Sequence, residues 1–285
     1  MANSRFHVKI RSSDASILLK AVTSAAATDG LPDPDQFDFI KQRGEKRLIV
    51  VAAAPRSGST YLSNVLSEVT GFQYFRLCSG YSSNEHDLYL PALCLMNPHG
   101  CVSQLHMKGT FHNASLIKAF GIRPVILVRN IYDTVLSLLA DLRNKEKQAN
   151  YGTGKSGYSF IWLTENTRNM DDEQLLDMII DLAIPWYVNF YASWDRLCEQ
   201  HAVDALWVTY EDIMENKSRT IQNIVKHVEI KNNTDFAMDI LEKKHHTFRE
   251  GISGYGEACL TEPRKKKICS LFSHYTNICF DKYGL

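Results

Sequence analysis

Arg47-Leu-Ile-Val-Val-Ala-Ala-Ala-Pro-Arg-Ser-Gly-Ser-Thr-Tyr-Leu62 decides the fold of this chain. Leu48 to Ala54 is an unbroken apolar run, the composition of a strand buried on both faces. Pro55 to Ser59 make a turn of small residues around one cation, Arg56. From Thr60 onward, Leu62, Val65, Leu66 and Val69 recur at helical spacing. Strand, tight loop and helix in that order present backbone N–H groups and a positive helix end to a phosphate. A triphosphate loop of the form G-x-x-x-x-G-K-[ST] carries its lysine after the last glycine. Here Ala53 replaces the first glycine, Ser59 replaces that lysine, and Arg56 lies two residues before Gly58. The loop therefore suits a phosphate-bearing ligand other than the Mg-nucleotide triphosphate of an ordinary kinase.

Working outward, Pro124-Val-Ile-Leu-Val128 is a second buried strand, and Cys101 to His106 and Ala205 to Val208 are shorter ones. Helical spacing marks Leu88 to Met96, Ser115 to Phe120, Ile131 to Leu142, and residues 13–27, 173–201, 215–228, 234–246 and 261–274. Pro185 predicts a kink in the helix over 173–201. Buried strands alternating with helices predict an α/β fold, a P-loop-like parallel sheet flanked by helices on both faces. A single domain over residues 1–285 is expected, with residues 1–45 as an N-terminal extension. Residues 144–172 mix Gly, Ser, Asn and Thr with Tyr151, Tyr158, Phe160 and Trp162, and read as a lid or substrate-binding insert.

Bulk properties narrow the function. Lys+Arg and Asp+Glu both number 32, so the net charge is zero, unlike the basic balance of a nucleic-acid protein. An anion site must then be a local arrangement of groups. The first ten residues lack a signal-peptide apolar core, and no apolar run reads as a membrane span, so a cytoplasmic protein without a membrane partner is expected. Seven cysteines are scattered singly, with no C-x-x-C, and predict free thiols and no metal site. Arg264 to Lys267, the one basic run, reads as a solvated helix face.

A second constellation follows the second buried strand, Val128-Arg-Asn-Ile-Tyr-Asp-Thr-Val-Leu-Ser137. Arg129 falls at the strand's C-terminal edge, where open α/β sheets bind ligands, and Ser137 about two turns into the next helix. A phosphoryl-transfer enzyme carries a Mg²⁺-binding Asp near this place, whereas an Arg suits direct phosphate pairing. A third stretch, Arg249-Glu-Gly-Ile-Ser-Gly254, is glycine-rich and carries one Arg.

Together these motifs resemble those of the sulfotransferase family, in the same order over residues 47 to 256. The first loop is similar to the family's P-[RK]-S-G-[ST]-T loop for a 5′-phosphosulfate, the second to its Arg and Ser for the 3′-phosphate, and the third to its late R-x-G-x-x-G. The resemblance implies 3′-phosphoadenosine 5′-phosphosulfate (PAPS) as donor, 3′,5′-adenosine bisphosphate (PAP) as product, and a small-molecule acceptor. It assigns Arg56, Ser57, Gly58, Ser59 and Thr60 to the 5′-phosphosulfate, and Arg129, Ser137, Arg249, Glu250 and Gly251 to the 3′-phosphate. Tyr61 and Tyr210 would line the adenine, and Arg56 would also stabilise the leaving phosphate. His106, in Ser103-Gln-Leu-His-Met-Lys108 and expected at the C-terminal end of a strand beside the Arg129 strand, resembles the base in the family's K-T-H segment, with Gln104 replacing the Lys. His112 is the alternative base, and Lys108 an alternative sulfuryl ligand. Glu250 replaces a common Lys, and Gly256 stands where an aromatic is usual. The implied reaction is sulfation of a hydroxyl or amine, of a bacterial natural product first, a saccharide or lipid second. A nucleotide-dependent kinase and an inert nucleotide- or glycan-binding module are the rivals.

Overall fold

The computed structural model describes residues 47–79, 84–146, 167, 169–230 and 254–285. In chain order its elements are β1 (Leu48–Ala53), α1 (Ser59–Thr70), α2 (Leu90–Met96), β2 (Cys101–Leu105), α3 (Phe111–Phe120), β3 (Val125–Val128), α4 (Ile131–Glu146), α5 (Asp172–Leu182), α6 (Ile184–Glu199), β4 (Leu206–Thr209), α7 (Tyr210–Glu215), α8 (Lys217–His227), α9 (Tyr255–Cys259) and α10 (Glu262–Phe272). A single 3₁₀ turn at Asp281–Tyr283 follows.

The four strands form one sheet in the order β2-β1-β3-β4, and every pairing is parallel. Parallel neighbours need crossover connections, and the intervening helices supply them. All six residues of β1 are buried. Their alternation assigns them to two apolar cores. Leu48, Val50 and Ala52 share one with Leu105, Ile126, Val128 and residues of α3, α4, α5, α6 and α10. Ile49, Val51 and Ala53 share the other with Leu62, Val65 and Leu66 of α1 and Ile221, Ile224 and Val225 of α8. The expected sheet with helices on both faces is the observed one.

The residues expected as one kinked helix over 173–201 form two. α5 and α6 meet at the buried Ala183, and Pro185 sits in the first turn of α6, where its missing N–H breaks no hydrogen bond. Asp172–Glu199 is also long and apolar enough to cross a membrane by length and composition, contrary to the sequence reading, yet 67% of its most apolar window is buried inside this protein. The basic run on α10 is not simply solvated. Arg264 pairs with Glu173 at 2.6 Å and Asp177 at 2.7 Å, and Lys267 with Asp181, all on α5. The expected helices over 13–27 and 234–246, and the aromatic insert of 151–162, lie outside the described residues.

Candidate active site

The C-terminal ends of β1, β2, β3 and β4 carry the site. After β1, the Ala54 N–H donates to Leu127 O at 2.9 Å and ties the loop to β3. The Ser57 hydroxyl donates back to Ala54 O at 2.5 Å and closes the turn. Arg56 (φ 67°) and Gly58 (φ 87°) both take left-handed backbone conformations. Gly58 is required twice over. Its backbone angle favours glycine, and a Cβ there would lie 2.8 Å from the Tyr210 ring. α1 starts on Gly58, which has no side chain to cap the first-turn N–H groups. Beneath the loop, the fully buried Tyr187 donates its hydroxyl proton to Pro55 O at 3.1 Å. Burial raises that phenol's pKa well above its ordinary value and keeps the donor protonated.

Arg56 reaches across to α4. Its Nε donates to Ser137 Oγ at 3.2 Å, and its Nη1 pairs with Asp141 Oδ1 at 2.9 Å. Two residues expected on different phosphates therefore touch one another. Arg129, just past β3, lies 4.3 Å over the Tyr210 ring, a cation–π contact. Its Nη2 is 3.7 Å from Asp133 Oδ2, and its Nε is buried with no hydrogen-bond partner among the described residues. A buried donor without a partner is costly and marks a place for a missing acceptor.

Asp133 escaped the sequence reading. It is buried, and its carboxylate accepts from Gly254 N at 2.9 Å and Gly256 N at 2.6 Å, joining the end of the late glycine-rich motif to α4. Its signal was an acid four residues after Arg129, but its partners lie 121 and 123 residues away. The same contact accounts for Gly256 in place of an aromatic. A Cβ there would lie 2.2 Å from the Tyr132 carbonyl carbon. Asn130 Oδ1 caps α4 by accepting from Tyr132 N and Asp133 N.

His106 follows β2. That strand pairs with β1, so β1 separates it from β3, and His106 is not on a neighbour of the Arg129 strand as expected. Its Nδ1 lies 2.8 Å from Ala53 O. A carbonyl only accepts, so Nδ1 carries the proton and Nε2 the lone pair. Gln104 Nε2 lies 3.2 Å from that Nε2. The His106 N–H donates to His86 Nδ1 at 2.9 Å, and the two rings stack 5.4 Å apart. Burial, then the charge of Arg76, lower the His86 pKa to about 4, with Asp87 opposing. The alternatives have other partners. Lys108 pairs with Glu85 at 2.9 Å and lies over the Trp186 ring, and His112, exposed on α3, bonds to Leu88 O.

A family model described as the sulfotransferase domain matches residues 46–250, well over half of the chain. This chain belongs to the sulfotransferase domain family. Comparison with curated protein sequences gives no match. Among solved structures, it resembles the mouse sulfotransferase SULT7A1 complexed with PAP (13% identity, 86% of this chain and 90% of that one, TM-score 0.57). It also resembles retinol dehydratase in a complex with retinol and PAP (12% identity, 86% of each chain, TM-score 0.54). A second retinol dehydratase structure, with androsterone and inactive cofactor PAP, matches over 95% of this chain and 97% of that one (13% identity, TM-score 0.53). At such identities these likenesses speak for the fold.

Of the sulfotransferase's expected adenine residues, Tyr61 is buried in the α1-side core, with Lys217 5.7 Å over its ring. Tyr210 is wedged between Gly58 and Arg129 at the start of α7. Burial raises both phenol pKa values. Ser59 is buried and Thr60 exposed at the start of α1. Arg249, Glu250 and Gly251 lie outside the described residues.

Proposed function

We propose that this sulfotransferase uses PAPS to sulfate a hydroxyl or amine of a small organic acceptor, with a natural product as the leading class. The single observation that carries the donor assignment is Arg129, whose Nε is buried without an acceptor among the described residues at the C-terminal edge of β3. A bound phosphate oxygen would satisfy it. The uncapped start of α1 beside Arg56 fits a second phosphate. Two anion-receiving places on one sheet edge suit a nucleotide with phosphates at both ends of its ribose. PAP in the similar solved structures supports the same reading, and the retinol and androsterone bound there support a small acceptor.

PAPS supplies the sulfuryl group. Arg56 and the N–H groups of Gly58 to Thr60 hold the leaving 5′-phosphate and offset its growing charge. Arg129, Ser137 and Arg249 take the 3′-phosphate and select the donor. His106 receives the acceptor's proton at Nε2, because Nδ1 already donates to Ala53 O. Arg56 must leave Asp141 or share it when the donor arrives. A single domain and a cytoplasmic setting, where the donor is made, belong to the same proposal.

Calorimetry tests the donor assignment. PAP should bind at least tenfold more tightly than AMP, since charge-assisted contacts contribute about 1.5–3 kcal/mol each. Equal affinities would sink it.

A further inference from the structure

We propose that Asp133 is a positioning residue for the donor's 3′-phosphate, one that orients Arg129 and pins the end of the late glycine-rich motif beside it. This role rests on Arg129 as a 3′-phosphate ligand in the proposed function. Asp133 lies in the first turn of α4, four residues after Arg129, and its side chain is 1% exposed. Both of its carboxylate oxygens are engaged. Oδ1 accepts from Gly256 N at 2.6 Å. Oδ2 accepts from Gly254 N at 2.9 Å and lies 3.7 Å from Arg129 Nη2. One buried group therefore touches both motifs assigned to the 3′-phosphate.

Each side of this contact is specific. Gly254 begins α9 in a left-handed conformation, φ 85°, and offers no capping side chain. The Asp133 carboxylate takes that place from α4 and accepts N–H groups at the start of α9. On the other side, the Tyr210 ring lies 4.3 Å from the Arg129 guanidinium, and Asp133 faces Nη2. Held at its face and at Nη2, the planar guanidinium keeps Nε pointing one way. That Nε is the buried donor that lacks an acceptor among the described residues.

Position and charge make opposite demands on Asp133. A carboxylate beside a phosphate repels it, so on charge alone Asp133→Asn should tighten phosphate binding. An amide, however, has one acceptor oxygen where the carboxylate has two, and its NH₂ would face a backbone N–H. The start of α9 then loses a partner, and Arg129 loses the anion beside Nη2. If position decides, Asp133→Asn weakens phosphate binding.

Calorimetry on the full chain compares PAP with AMP, which lacks the 3′-phosphate. Asp133→Asn should weaken PAP by roughly tenfold or more, the loss of a charge-assisted contact, and leave AMP unchanged. Gly256→Ala keeps the charge of Asp133 but pushes α9 away from α4, and should weaken PAP selectively in the same way. Amide hydrogen exchange on the wild type needs no variant. Gly254 and Gly256 should be protected, and PAP should slow their exchange further while AMP does not. Tighter PAP binding by Asp133→Asn, an equal loss for PAP and AMP, or equal slowing by the two nucleotides would overturn the proposal. A wild type that holds PAP and AMP equally faults the donor reading itself, and this role with it. A wild type that prefers PAP, with an Asp133→Asn variant that keeps the preference, faults the role of Asp133 alone.

Discussion

Arg56 combines a charged side chain with a left-handed backbone, φ 67°, which costs a non-glycine residue about 1–2 kcal/mol. That conformation carries the guanidinium toward Ser137 and Asp141 on α4. Arg56→Ala should lower kcat by about 10²–10³ with less effect on acceptor KM, read from steady-state kinetics. His106→Ala should keep PAP binding in calorimetry and lose about 10²–10⁴ in turnover on an aliphatic alcohol acceptor. Arg56, Arg129, Ser137 and His106 were legible in the sequence because each belongs to a short motif in a set order. Asp133 and Asp141 were not. Each acts through a partner that only the folded chain brings close, as Asp141 does with Arg56 over 85 residues.

At the scale of elements, β1 and β3 were plain because strands buried on both faces read as unbroken apolar runs. Their order was not, since every crossover is longer than the reach of local pattern. His106 therefore landed one strand farther from Arg129 than expected. The break between α5 and α6 hid for another reason: a proline in a helix's first turn and a proline inside a kinked helix look alike in sequence. Two glycines set how elements meet. Gly256→Ala would force α9 off α4 and should cost about 1–3 kcal/mol in urea unfolding. Gly71→Ala, with φ 68° and no atom within 4 Å of a new Cβ, should cost only about 1 kcal/mol. Reversed ranks would show that the Asp133 contact does not hold α9 in place.

For the whole molecule, the neutral balance of charge agrees with a site made by local geometry, and the two cores account for its shape. The α4, α5, α6 and α10 side also braces the first loop from behind: Tyr283 donates to Tyr187 O at 3.2 Å, and Tyr187 to Pro55 O. Tyr187→Phe leaves that buried carbonyl without its donor and should lower stability by about 1–3 kcal/mol, measured by chemical unfolding. These braces join distant parts of the chain. Tyr187 is 132 residues from Pro55, and Gly254 is 121 from Asp133. Closing loops of that length is entropically slow work for a folding chain, and parallel pairing adds to it. Helices form within microseconds of dilution from denaturant, but the loop after β1 and the Asp133–Gly254 contact are set only once these remote ends have met. Recovery of PAP binding should therefore lag the return of helical circular dichroism during refolding.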